Sequence, residues 1–584
     1  MSRIWARSRT LWDWDEALFT IAVRSYDVTL HHPHPPGFPL YVAMAKFVRL
    51  FLQSDFHALQ AINTLAAIAL FPLLLWFALE LRFPFRTAYL GSLLFVFFPN
   101  VWFFGGTAFS DIPALALLLA ACATLLRGCQ SRRAFFLGAL LLGLAAAIRP
   151  QSLVIGCAPA LYASWCRKRT KDVVAAAAIG IAVLAIAYGG AALESASVQG
   201  YFDSARSLRE YVRNVDSYLS PIRPPVRSLL PDFFLHPMPG GTVAIAVSAL
   251  ALVSVIVSLI RRTTGVWMLV AMFLPFNIIG LFMLDPHSIS RYSIGYGAMY
   301  ALLAVDALAA LPPVQAILVI AAIARLTWWT FPALREVRRT ISPPVAAMEW
   351  IRGNVPKPRP LYVHEGMAPF AGCFTPDYNV VIVDEPAKLP IAAFSAPDWL
   401  VTEGPSAVVH GRNFIREHGN LYDIARRRYF EVSVVPLSSV ALFSVGWYAP
   451  EGEAAHRWRW MGGRSITMLP PIAGKARLTL DFDLPTELVP RHPTVDLYLN
   501  GQLVDRSVCT TPSVSRTVII PARGNAWNQL VISMDKVLNP AKEGILPDAR
   551  DLGLNLTGYG WEAANVSQSS MRPDSNPRLN HIDR

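Results

Sequence analysis

Charge is scarce in this chain. Of its 584 residues, 16% are Asp, Glu, Lys or Arg, while 54% are hydrophobic. An ordinary soluble protein carries about 25% charged residues, so a wholly water-soluble protein is excluded. Cysteine is scarce too, with six in all. No CxxC and no Cys/His ligand spacing occurs, which removes the zinc-binding and dithiol classes. Cys122, Cys129, Cys157 and Cys166 fall in or beside apolar stretches, where a thiol acts as a small buried hydrophobe. Cys373 and Cys509 fall in different parts of the polar half, and a bridge between them is not expected. Repeated helix sets and paired charges inside apolar runs, the marks of a transporter, are also missing.

What the chain does have is long apolar runs, concentrated between about His57 and Pro332. Its mean hydropathy is +0.38. A spanning helix needs about 20 apolar residues. Ten candidates run roughly over 59–79, 87–104, 112–127, 134–148, 151–166, 173–192, 241–260, 266–284, 291–310 and 313–331. Several are short, which predicts tilting or flanking anchors. Lys and Arg stay in the cytoplasm in short loops. The clusters Arg82/Arg86, Arg127/Arg132/Arg133, Arg167/Lys168/Arg169/Lys171 and Arg261/Arg262 all fall on one side of this ten-helix order. That side is then cytoplasmic. Residues 1–58, 105–111, 193–240, 285–290 and the tail from about 332 face outside. Much of the net charge of +12 is therefore topology signal, and no nucleic-acid partner is needed. MSRIWARSRTLW is too short for a signal peptide. An outer segment 1–58 calls for a further apolar helix upstream.

The polar half divides again. PPVAAMEWIRG predicts a helix with Pro343 and Pro344 at its start. PLYVHEG, NVVIVDE and PDWLVTEG predict short buried strands, hence a small α/β unit over 332–440. From 441 the pattern alternates with period two, as in ARLTLDFDLP and TVDLYLNGQLVDR. Asn500-Gly501 is a hairpin signal, and a β-sandwich over 441–562 follows. Its Trp447, Trp458 and Trp460 suit either a core or the faces of sugars. The polar end, 563–584, predicts disorder.

HHPHPPGFPLYV, residues 31–42, is rigid, polar and histidine-bearing at the edge of a membrane. Prolines stiffen it and Gly37 permits a φ closed to other residues. The semi-amphipathic FPLYVAMAKFVRLFL after it predicts a helix lying in the interface. Upstream stands WDWDE. With FSDIPALALLL, AAIRPQSL and SISRYSIGY in order, residues 11–331 resemble the GT-C membrane glycosyltransferases, in the branch of protein mannosyltransferases and aminoarabinose transferases.

The resemblance implies a GT-C-like polytopic helical membrane domain, here followed by the α/β subdomain and the C-terminal β-sandwich. It implies a bacterial inner-membrane enzyme that moves a sugar from a polyprenyl-phosphate donor to an extracytoplasmic glycan, lipid or protein. Asp15 is then the general base, since a hydroxyl is a poor nucleophile until a carboxylate takes its proton. Glu16 is the second catalytic carboxylate. Asp111 is a further candidate for steadying charge, holding a divalent cation or binding the acceptor, and Ser110-Asp111 is also a good helix start. No cofactor is certain. Arg149 and Arg291 break the charge rule at outer helix ends, and Arg325 lies inside the last span. Guanidinium suits a lipid phosphate. His34, before Pro-Pro, and Tyr292 complete the substrate-binding candidates. Two rivals stand beside the enzyme: a non-catalytic transporter of lipid-linked glycan, and an inactive scaffold that binds glycans.

Overall fold

The structure, a computed structural model, describes residues 2–564 except 222, 237, 358, 385, 387–388, 395–397, 405–410, 417–418, 426–428 and 454–455. The predicted disordered tail lies almost wholly outside the described residues. The chain forms two compact units. One comprises Met1–Ala346, Gly372–Pro376 and Glu417–Phe430, and the other comprises the remainder.

The first unit is helical. In chain order it holds α1 (Ser2–Trp5), α2 (Trp14–Arg24), α3 (Pro39–Leu52), α4 (Asp55–Glu80), α5 (Phe85–Val96), α6 (Pro99–Phe104), α7 (Asp111–Gly128), α8 (Arg132–Ile148), α9 (Ser152–Arg167), α10 (Thr170–Glu194), α11 (Val198–Tyr211), α12 (Val226–Phe234), α13 (Thr242–Arg261), α14 (Thr264–Met283), α15 (Ile289–Tyr292), α16 (Ile294–Ala307) and α17 (Pro312–Arg339). Each of the ten expected spans meets a helix. Among the described residues, six helices are long and apolar enough to cross a membrane: α4, α7, α10, α13, α14 and the helix beginning at Pro312. Two expected spans are broken. The run 87–104 stops at Val96 and restarts at Pro99, which occupies the first turn of α6, where proline's missing N–H costs nothing. The run 291–310 divides into α15 and α16 at Ser293. The last span continues past its expected end to Arg339.

Capping residues set several ends. The Ser54 and Ser131 side chains accept backbone N–H groups at the starts of α4 and α8, as serine does at an N-cap. The α7–α8 hairpin is tight because glycine faces leucine. A Cβ on Gly138 would lie 2.7 Å from the Leu125 side chain, so small residues let the helices approach. The bundle core is aromatic, with Phe77, Phe95, Phe98, Phe103, Phe104 and Tyr296 fully buried.

The second unit contains α18 (Pro343–Asn354) from Ala347 onward, α19 (Ala368–Phe374) up to Ala371 and α20 (Ile391–Phe394); α21 (Gly419–Ile424) belongs to the first. Strands β1 (Pro360–His364), β2 (Asn379–Val383), β3 (Trp399–Glu403), β4 (Arg412–Ile415) and β5 (Glu431–Pro436) form one sheet in the order β2-β1-β3-β5-β4. The first three are parallel, and β5 and β4 pair antiparallel. Then come β6 (Leu442–Phe443), β7 (Trp447–Glu453), β8 (His456–Met461), β9 (Arg464–Leu469), β10 (Gly474–Asp483), β11 (Thr494–Leu499), β12 (Gln502–Val508), β13 (Ser513–Ala522), β14 (Asn528–Met534) and β15 (Asn555–Ala563). They form two antiparallel sheets, β13-β10-β15-β8-β7 and β12-β11-β14-β9-β6. Alternate residues Ala476, Leu478, Leu480 and Phe482 of β10 and Val495, Leu497 and Leu499 of β11 fill the shared core. Asn500 and Gly501 both take positive φ, at 51° and 86°, the geometry of a two-residue hairpin. The fold is thus a helical membrane-type domain followed by an α/β sheet and a β-sandwich, as the patterns predict. Cys373 and Cys509 are both free and buried.

Candidate functional site

The site grows from WDWDE. Asp13 caps α2, its side chain accepting the Asp15 N–H at 2.7 Å. Glu16 completes a capping box: its Oε2 accepts the N–H groups of Trp12 at 2.7 Å and Asp13 at 3.2 Å. Glu16 Oε1 accepts the Ala108 N–H at 2.9 Å, so this carboxylate tethers the loop before α7. Burial pushes the Glu16 carboxyl up to about 7, against the pull of the Trp12 and Ala108 amides. Expected as a second catalytic acid, Glu16 is directed at the backbone. The capping signal D-x-x-E was legible in the sequence.

Asp15, one position earlier, points the other way. Its Oδ2 accepts Arg291 Nη1 at 2.5 Å, and its Oδ1 lies 3.5 Å from His34 Nδ1. Asp111, at the start of α7, meets Arg149 Nη1 at 2.6 Å and Arg291 Nε at 3.8 Å. Arg149 Nη1 also donates to Ser110 Oγ at 3.2 Å. With the Gln151 amide turned to its satisfied orientation, its oxygen accepts Arg149 Nε at 2.6 Å and Nη2 at 3.0 Å. Four segments distant in sequence thus bring Asp15, His34, Asp111, Arg149 and Arg291 together. Two carboxylates face two guanidiniums. Arg149 has every nitrogen engaged by protein, whereas Arg291 Nε is buried with no hydrogen-bond partner among the described residues. Tyr292 lines a small pocket beside Asp111, Arg149, Gln151 and Ser152, floored by Leu115, Leu118, Ile155 and Phe276.

The HPHPPG turn supplies His34. Gly37 has φ +98°, and a Cβ there would lie 2.3 Å from Tyr26 Oη. Tyr26 Oη donates to Gly37 O and Tyr201 Oη to Pro36 O, each at 3.0 Å. The turn is therefore fixed from two sides. His34 packs against Phe19 and Phe38. Burial pushes its imidazole below the ordinary histidine value, Asp15 pulls it up, and Arg291 and Arg149 push it further down.

Arg325 does not join this group. It is exposed on α17, with its guanidinium 5.0 Å from the Trp328 ring. A lone arginine in an apolar run reads alike whether it faces the bundle or the lipid; here it is an aromatic-backed surface cation. Conversely, Gln60, Asn63 and Asn100 were not singled out. Asn100 Nδ2 donates to Ser290 O at 2.7 Å and Ser293 Oγ at 2.8 Å, which fixes the short helix that carries Arg291. Each is a polar residue in an apolar stretch, a signal that could have been used.

Ca2+ takes about six to eight oxygen ligands and Zn2+ about four, and protein sites for either are built from clustered carboxylates, histidines or cysteines. Asp15 and Asp111 each lie against a guanidinium, and no group of three His, Cys, Asp or Glu able to hold a metal occurs among the described residues. The residues do not fit such an ion, and no step is derived through one.

An apolar multi-helix bundle with a charged, partly buried site at one end defines a multi-pass membrane protein of a ligand-binding or catalytic kind. Residues 33–188 match the family model described as dolichyl-phosphate-mannose-protein mannosyltransferase. Similar solved structures include ArnT from Cupriavidus metallidurans bound to undecaprenyl phosphate, at 11% identity and TM-score 0.46, covering 74% of this chain and 95% of that one. The Archaeoglobus fulgidus oligosaccharyltransferase in its apo form gives 12% identity and TM-score 0.45, covering 83% and 77%. Arabinofuranosyltransferase AftD from Mycobacteria gives 10% identity and TM-score 0.43, covering 96% and 58%. No curated protein matches.

Proposed function

We propose that the chain is a membrane glycosyltransferase that moves a sugar from a polyprenyl-phosphate donor to an acceptor hydroxyl on a glycan, lipid or protein outside a bacterial inner membrane. The observation that carries this reading is the convergence of Asp15, His34, Asp111 and Arg291 at one end of the helical bundle. The family match over residues 33–188 supports it.

In the reaction the acceptor oxygen attacks the anomeric carbon. The bond from that carbon to the phosphate oxygen breaks, and the electron pair leaves with the lipid phosphate. Asp15 takes the hydroxyl proton. Arg291 holds the departing phosphate, because guanidinium matches phosphate geometry. Asp111, held by Arg149, lies beside the charge that develops on the sugar in an oxocarbenium-like transition state. His34, largely neutral, can donate one N–H to a phosphate oxygen. Glu16 is a positioning residue.

The test uses purified protein in nanodiscs and a panel of polyprenyl-phosphate sugars with membrane glycan and lipid extracts. Release of polyprenyl phosphate is followed by mass spectrometry. Release in the wild type that is lost in Asp15→Asn supports the reading. No release from any donor, with no binding of polyprenyl phosphate, overturns it and returns the chain to the class of inactive scaffolds that bind glycans.

A further inference from the structure

Helix α4 is apolar enough to span a membrane, yet buries two carboxamides one turn apart. Gln60 is 2% and Asn63 0% exposed. Burying an amide is costly unless it is hydrogen-bonded, and both amide nitrogens donate to backbone carbonyls. Gln60 Nε2 donates to Ser8 O at 2.8 Å and Gly106 O at 2.9 Å. Asn63 Nδ2 donates to Phe104 O at 2.5 Å and Thr107 O at 2.7 Å. Apart from Ser8, which precedes α2, these carbonyls lie at the end of α6 and in the connection to α7, which closes with Asp111. From the opposite side Glu16, next to Asp15, accepts the Ala108 N–H at 2.9 Å. Gly106 admits this arrangement because a Cβ there would lie 2.3 Å from Ala6 O.

We infer that Asn63, with Glu16 opposite it, is a positioning residue that fixes the Asp111 loop against the Asp15 loop and so sets the spacing of the two carboxylates. This rests on the proposed function. The geometry behind it is direct. Carbonyls 104 and 107 flank the turn, two donors on one amide nitrogen reach both, and the next amide, 108, is held by the neighbour of the base. Misplacing a catalytic group by about 1 Å can cost 100-fold in rate, so such a bracket is expected to act on turnover. The donor's phosphate contacts at Arg291 and His34 are left in place.

Asn63→Leu keeps the branched shape with bulkier methyl ends and removes both donors. Asn63→Asp restores one donor only when protonated, and sets an anion against two carbonyls when ionised. With thermal melts confirming the fold, Asn63→Leu should lower kcat by about 10- to 100-fold while the donor KM stays within about threefold. Asn63→Asp should regain turnover as pH falls, with a limb that neither wild type nor Asn63→Leu shows. Amide exchange over residues 104–110 should rise in Asn63→Leu and remain as in wild type elsewhere. Wild-type kcat in Asn63→Leu, alongside an inactive Asp15→Asn, overturns the bracket and leaves the proposed function standing. An Asn63→Asp pH profile that merely copies Asn63→Leu overturns it as well. If no donor turns over at all, the exchange measurement decides alone: unchanged exchange over 104–110 in Asn63→Leu sinks the inference.

Discussion

At the residue scale, Asp15 and Glu16 are adjacent and chemically alike, yet helix geometry separates them. A capping box directs Glu16 back to the backbone at the start of α2, while Asp15 turns toward Arg291. Asp15→Asn keeps shape but loses basicity. Turnover should fall about 10²- to 10⁴-fold, with donor binding nearly unchanged. Arg291→Ala should weaken donor binding and turnover together, because a guanidinium–phosphate contact exists in both ground and transition states. Steady-state kinetics on an authentic donor separate the two. Glu16 predicts a stability effect. Its carboxyl is raised by burial from 4.5 to about 7. A group raised in the folded state adds stability that is complete below its unfolded value and lost as pH rises through its folded value. The melting temperature should therefore drop between pH 4.5 and 7 through this group, and the Glu16→Gln variant should lack that component. Parallel curves for the two proteins would refute it.

The same scale shows what was legible. Asp15, Asp111, Arg149 and Arg291 stood out because each is charged at the outer edge of an apolar run. The D-x-x-E capping signal was present for Glu16 but did not exclude a catalytic role, and the exposed placement of Arg325 was not decided, since one residue's identity does not say which way it faces. Gln60 and Asn63 escaped notice because two amides hardly disturb the hydropathy of a 26-residue helix.

At the element scale, α3 has the most definite job. Phe47, Leu50 and Phe51 are 63%, 73% and 71% exposed on it, beside Lys46 and Arg49. Lys46 pairs with Glu194 and Arg49 with Asp55. A helix with a naked aromatic face and basic flanks is suited to the membrane interface, and that placement is what we expect of α3. A tryptophan at position 51, in a background where its emission can be isolated, should be quenched more by lipids labelled near the glycerol than by those labelled at the chain ends. Equal quenching by a soluble agent in detergent-free vesicles and in buffer would place the face in water. The turn that leads into α3 explains the HPHPPG sequence: Gly37 is required by its φ of +98° and by Tyr26. Helices and strands were legible from their periods, 3.6 and 2, and Asn500-Gly501 from its turn chemistry. The breaks at Pro99 and Ser293 were missed because the apolar runs continue across them.

At the scale of the whole molecule, charge sets the expected orientation. At one end of the bundle Glu80 pairs with Arg127, and Asp172 with Arg132 and Arg167. Arg82, Arg133, Lys168, Arg169, Lys171, Arg261 and Arg262 lie in the connections or the adjoining helix ends at that same end of the helix order. At the other end the two arginines that break the positive-inside rule, Arg149 and Arg291, face Asp111 and Asp15. Their charge is neutralised by the site, so they do not argue against an outer location. The segment 193–240 is the harder case, since it carries Arg206, Arg209, Arg213, Arg223 and Arg227. Counted alone, these would pull it into the cytoplasm. Chain order opposes them: α10 and α13 join this segment to connections rich in cytoplasmic signal at their far ends. In a cysteine-free background, single cysteines at Leu219 and Thr264, both exposed, discriminate the two. A membrane-impermeant maleimide on intact cells should label position 219 and spare position 264 until the cells are opened. Labelling at 264 from outside would invert the bundle and move Asp15, Asp111 and Arg291 to the cytoplasmic face. A donor presented from outside would then have no access to them.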